Sequence, residues 1–146
     1  MHGFRIYLEG REEDVNLQDT LRRLPAAHRA MALRYRYRLQ PGNTLRGDDD
    51  NVGELDPRNK VVTVAGPWRY GREFTVLHEI GHLVWERLRP EQKKHWQALA
   101  APHLKKLGQN SAEEAFAMLY AQAYAANKLV RYDVRDLVAF VKRLTS

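Results

Sequence analysis

Phe4, Ile6 and Leu8 alternate with Arg5, Tyr7 and Glu9, the two-residue period of a short half-buried strand. Asp14 or Asn16 then stands where it caps a helix running through Leu17, Leu21 and Leu24. Pro25 interrupts that helix or opens a second one over residues 26–32. The alternation returns between Leu33 and Leu39. Leu33, Tyr35, Tyr37 and Leu39 share one face, Arg34, Arg36 and Arg38 the other, which predicts a second strand ended by the Pro41-Gly42 turn. Residues 43–60 are polar and rich in Gly and Asp, and predict a loop. Val61, Val62, Thr63 and Val64 are β-branched and, with Ala65, make the best strand in the chain, closed by Gly66-Pro67. Everything afterwards has helical spacing, roughly over residues 71–89, 90–107, 111–130 and 133–144, with Pro90 placed to start a helix and Gly108 to end one. The pattern predicts an α+β fold: a small N-terminal mixed sheet with helices, then a mainly helical C-terminal half.

Composition predicts one domain over residues 1–146. With 44% apolar and 29% charged residues, a chain of this length buries about 68–70% of its unfolded surface. There is no cysteine, which excludes disulfides, thiolate zinc sites, iron–sulfur clusters and thiol nucleophiles. No secretory pattern opens the chain, and the longest weakly polar run, residues 115–126, is too short to span a bilayer. The expectation is a water-soluble domain without a membrane partner, cytoplasmic by default.

Twenty-four Lys and Arg against 18 Asp and Glu give a net charge of +6. That permits a nucleic-acid partner without favouring one, because the basic residues are spread along the chain. The Arg34–Arg38 alternation suits a half-buried strand better than a stacking strip for bases. Asp48, Asp49, Asp50 and Asn51 lack the spacing of a calcium loop. Trp68, Trp85 and Trp96 are expected in the core or a cleft wall, and His95 on a polar helical face; His2 and His28 carry no message.

Histidine spacing changes the picture more than charge does. In Thr75-Val-Leu-His-Glu-Ile-Gly-His-Leu-Val-Trp85, His78 and His82 lie four apart, so on a helix both imidazoles reach one zinc ion. Glu79 is turned roughly one hundred degrees away, where it reaches a metal-bound water without being a ligand. Zinc brings the pKa of such a water to about 7, and a neighbouring carboxylate takes its proton. The uncharged residues around the motif predict a buried helix, on which two idle imidazoles and a carboxylate would be costly.

A catalytic zinc needs a third protein ligand and one open position. A further histidine six residues after His82 would supply it, but that residue is Leu88. Ser111-Ala-Glu-Glu114 offers a carboxylate instead, at the start of an apolar helix. Ser111 and Glu114 also match a capping box. Glu114, on one stripe with Ala117, Met118 and Ala121, is favoured as the ligand. Glu113 is the alternative ligand; otherwise the capping role falls to it or to water.

His78-Glu-Ile-Gly-His82 followed by Glu114-Ala-Phe-Ala117 resembles the zinc metallopeptidases related to anthrax lethal factor and the Pro-Pro endopeptidases, which are of the gluzincin type. Upstream, Gly53-Glu-Leu-Asp-Pro-Arg-Asn-Lys-Val-Val-Thr-Val-Ala65 is similar to that group's glycine, loop and strand leading to a substrate-binding edge strand. The resemblance spans residues 53–65 and 74–124, under half of the chain. It implies one zinc per chain on His78, His82 and Glu114, with Glu79 as base and proton shuttle. It also implies that Glu86 orients an imidazole, the alternative being a solvated charge beside Arg87 or Arg89. Val61–Ala65 would offer its backbone to an extended polypeptide, or else is an ordinary interior strand. Two departures stand out. No Tyr lies between Glu86 and Glu113 to serve the oxyanion, leaving His103, Tyr70, Tyr120 and Tyr124 as substitutes, and Met118 stands where the group often repeats a Glu.

The sequence therefore predicts a minimal zincin-like endopeptidase, its active-site helix lying beneath a short sheet. Two other functions stay open. The charge of +6 motivates a DNA-associated or regulator-cleaving HExxH protease. The missing Tyr motivates a catalytically weak zinc-binding interaction module.

Overall fold

The β-branched run Val61–Ala65 forms a strand, β4, and it lies inside the sheet rather than at its edge. The computed structural model describes residues 5–6, 11–40, 53–65, 72–126 and 133–145. Strands β1 (Arg5–Ile6), β2 (Arg36–Gln40), β3 (Gly53–Asp56) and β4 take the order β1-β2-β4-β3. β1, β2 and β4 are parallel and β3 is antiparallel to β4, so the sheet is mixed. Tyr35, Tyr37, Val62 and Val64 are buried beneath it while Arg34 and Arg38 are exposed, as the alternation requires.

β2 begins at Arg36 and not at residue 33, because Leu33, Arg34 and Tyr35 still donate their amides to the last carbonyls of the preceding helix. The expected loop over residues 43–60 holds a strand: β3 has one apolar residue, Leu55, and exists because its backbone completes the β4 ladder. The turn joining them is set by Asp56, whose carboxylate accepts from the Asn59 amide and side chain at 3.1 and 2.9 Å. These bonds hold the Asp56 carboxyl below its ordinary range. The Asp48–Asn51 segment lies outside the described residues.

The helices are α1 (Arg11–Arg22), α2 (Ala26–Ala32), α3 (Arg72–Arg87), α4 (Pro90–Ala100), α5 (Leu104–Leu107), α6 (Ala112–Tyr124) and α7 (Arg135–Arg143). α1 starts earlier than expected, at Arg11, so Asp14 and Asn16 lie within the helix rather than at its start. The helix expected over residues 90–107 is broken by Pro102, which has no amide for the ladder, into α4, a 3-10 turn (Ala101–His103) and α5. Gly108, at φ 69°, then takes the left-handed conformation that ends α5. α6 stops at Tyr124 because the Ala126 amide donates to Glu73 on α3 at 2.7 Å instead of continuing the ladder.

α3 lies between the sheet and α6, and α4 and α7 pack behind α6. Trp96, Phe116, Leu119 and Leu137 are fully buried, and Phe116 sits 5.4 Å from the rings of both Trp85 and Trp96. His28 has a structural part its sequence did not announce: fully buried, its Nδ1 meets the Tyr120 hydroxyl at 2.9 Å. Among the described residues, no helix is long and apolar enough to cross a membrane.

Candidate metal centre

α3 is buried on most of its circumference by Val76, Leu77, Ile80, Val84 and Trp85. Its remaining face carries Thr75, His78, Glu79, His82 and Glu86 into a groove of about 910 Å³. Gly53, Glu54, Leu55 and Pro57 of the β3 hairpin also line it, as do Tyr35 and Leu83. Two glycines let the elements come this close. A Cβ on Gly81 would lie 2.8 Å from the Ala117 Cα and 3.0 Å from the Tyr120 Cβ, so Gly81 sets the contact between α3 and α6. A Cβ on Gly53 would lie 2.6 Å from Thr75 Cγ2 and 3.0 Å from Glu79 Oε2, so Gly53 seats β3 against the carboxylate.

α6 supplies the other side of the site, and its first turn is fixed twice. Ser111 Oγ accepts from the Glu114 amide at 3.1 Å, and the buried Trp96 indole donates to the Ala112 carbonyl at 2.7 Å. The cap and the ligand position coexist, because the cap uses the Glu114 backbone and leaves its carboxylate for the groove.

That carboxylate meets both histidines. Glu114 Oε1 is 3.3 Å from His78 Nε2, and Oε2 is 2.8 Å from His82 Nε2. One donor atom from each of His78, His82 and Glu114 falls within 4.8 Å of the others. The described lining of the groove carries five glutamates and no Lys or Arg, in a chain of net charge +6. Two imidazoles, a carboxylate and an anionic surround fit a divalent cation with room for a further ligand. This His-His-Glu group could hold a metal ion.

Burial shapes the titration of the metal-free groove. It lowers the His78 pKa, the nearby His82 adds to this, and Glu114 opposes it. It also pushes the Glu79 carboxyl up to about 7, with Glu114 and Glu54 adding and His82 opposing. In the metal-free groove Glu79 is thus a carboxyl that exchanges its proton near neutrality.

The sequence-predicted residues divide clearly. His78, Glu79, His82 and Glu114 come together, and Glu114 rather than Glu113 faces both Nε2 atoms. Glu86 is exposed at the groove, and the bond to an imidazole expected of it is made by Glu113, whose Oε2 is 2.8 Å from His82 Nδ1. His103 lies 4.0 Å from Asp136 and Tyr120 is committed to His28; neither lines the groove, nor does Tyr124, which packs on Tyr120. Tyr70 lies outside the described residues. Val61–Ala65 is no substrate edge, because β4 is paired with β2 on one side and β3 on the other. The sequence reading missed Glu113 as an imidazole partner and Tyr35 and Leu55 as groove wall. The alternation that buried Tyr35 was the available signal for one of them.

No protein-family model, curated protein or solved structure matches this chain.

Proposed function

We propose that the chain is a zinc-dependent endopeptidase. The observation that carries this reading is the convergence of His78, His82 and Glu114 beside the buried Glu79 in an open groove. Two imidazoles and a carboxylate with an open position are a donor set that suits zinc. Held by His78, His82 and Glu114, it would supply Lewis acidity toward a peptide carbonyl and toward water.

The rest of the chemistry falls to the chain. Glu79, at the groove wall under Gly53, accepts the proton of the attacking water on its carboxylate and returns it to the leaving amine. Among the described residues β3 has no strand on its outer side, so an extended peptide has a backbone edge at the groove rim. β3 therefore takes the substrate role first expected of β4. Leu55, Tyr35 and Leu83 give that peptide apolar walls to pack against.

The test is hydrolysis of a broad peptide library by the zinc-loaded chain and by Glu79→Gln. The variant should keep its metal and lose about 10²–10⁴-fold in rate. Undiminished cleavage by Glu79→Gln would remove the mechanism. A second reading, a zinc-binding interaction module, is favoured by the placement of His103, Tyr120 and Tyr124 away from the groove. Stoichiometric zinc with no cleavage anywhere in the library would select it.

A further inference from the structure

We propose that Glu113 is a positioning residue for the metal centre: it holds the His82 imidazole by Nδ1 and so aims Nε2 at the site shared with His78 and Glu114. The inference rests on the zinc reading above and adds a residue to it.

His82 is gripped on both edges of its ring by consecutive residues of α6. Glu113 Oε2 stands 2.8 Å from Nδ1, and Glu114 Oε2 stands 2.8 Å from Nε2. The two ring nitrogens point to different sides, so these carboxylates do different work. An Nδ1–H donated to Glu113 leaves the Nε2 lone pair for a cation and fixes the rotation of the ring about its Cβ–Cγ bond. Glu114, on the Nε2 side, is where a ligand must be. Both carboxylates ride on one helical turn, tied down by the Ser111 cap and by the Trp96 indole on the Ala112 carbonyl. The grip is therefore preset by the helix start rather than assembled by two independent side chains.

A role in folding alone does not account for this arrangement. The Glu113 side chain is 39% exposed and faces the groove. A surface contact of that kind contributes little to stability, about 0–1 kcal/mol. What it does define is the orientation of one imidazole.

The experiment uses the full chain, its Glu113→Ala, Glu113→Gln and Glu114→Ala variants, and zinc itself as the probe. Two quantities are read: zinc affinity by competition with a chelator, and the imidazole N–H signals of the zinc-loaded protein by proton NMR. The parent should show a slowly exchanging, strongly downfield N–H from His82. Glu113→Ala should bind zinc about 10–100-fold more weakly and lose that signal to exchange. Glu113→Gln, which keeps an acceptor oxygen, should retain the signal and recover most of the affinity. Parent-like affinity and an unchanged N–H in Glu113→Ala would overturn the proposal. So would a loss as deep as that of Glu114→Ala, which would make Glu113 a ligand. Absence of zinc binding by the parent would overturn the metal reading itself, a separate outcome from either.

Discussion

Replacing Gly81 by Ala separates the packing of the site from its chemistry, because Gly81 lies between the two histidines yet faces away from the metal position. An added Cβ would meet the Ala117 Cα at 2.8 Å, the Tyr120 Cβ at 3.0 Å and the Ala117 carbonyl oxygen at 3.2 Å. Carbon atoms in good contact sit about 3.5–4.0 Å apart, so α3 and α6 must part by roughly 1 Å. Overpacking of this kind costs about 1–3 kcal/mol, while Ala in place of Gly inside a helix returns about 1 kcal/mol. The net loss in the metal-free protein should be about 0–2 kcal/mol, a fall of up to roughly 8 °C in Tm for a chain of this size.

The effect on metal should be larger in proportion. Glu114 lies one turn from Ala117 on α6, and ligand distances tolerate only about 0.2 Å. Zinc affinity should therefore drop about tenfold or more, which removes about 1.4 kcal/mol of zinc-dependent stabilisation at fixed free zinc. Thermal unfolding with chelator and with buffered zinc measures both quantities. A Gly81→Ala protein that gained the full helix-propensity increment and bound zinc as the parent does would refute the role given to this glycine.

Three further outcomes follow from the same geometry. In the metal-free protein, burial raises the Glu79 carboxyl from 4.5 to about 7, so the folded chain holds a proton that the unfolded chain releases. Stability from this group is complete below pH 4.5 and is lost as pH rises through 7, by about 3 kcal/mol at most, so metal-free Glu79→Gln should outlast the parent in urea at pH 8 and match it at pH 4; equal midpoints at pH 8 would contradict this. Gly53→Ala should weaken hydrolysis through kcat while zinc content stays at the parent level, because its Cβ would strike Thr75 and Glu79 and not a ligand; unaltered kcat would show that β3 does not seat the base. Glu73→Ala should cost about 2–3 kcal/mol in denaturant unfolding, because it strips the acceptor shared by Thr20, Arg23 and the Ala126 amide at 2.5, 2.5 and 2.7 Å; a change below 1 kcal/mol would mean that solvent replaces these bonds.

How much the sequence disclosed depended on where the determining contact lay. The helix carrying His78, Glu79 and His82 was legible because burial pattern and chemistry are local to it, and Glu114 because it opens the next strongly apolar helix. The role of Glu113 was not, since which carboxylate reaches which ring nitrogen depends on how α3 crosses α6, and that is set by the missing side chain of Gly81. β3 escaped because Gly53-Glu-Leu-Asp56 has almost no strand character of its own and is held by pairing with β4. The same β-branched richness that marked Val61–Ala65 as a strand also fits an interior position, with Val62 and Val64 fully buried. The Tyr120 hydroxyl, an oxyanion candidate by sequence, is taken by His28, a partner ninety-two residues earlier in the chain.

Whether His78, His82 and Glu114 hold zinc is read from the metal content of the protein itself. Elemental analysis of protein purified without chelator or added metal should find about one zinc per chain in the parent and a small fraction of that in Glu114→Ala. A parent without zinc even after reconstitution, or a Glu114→Ala protein that retains it in full, would contradict the account.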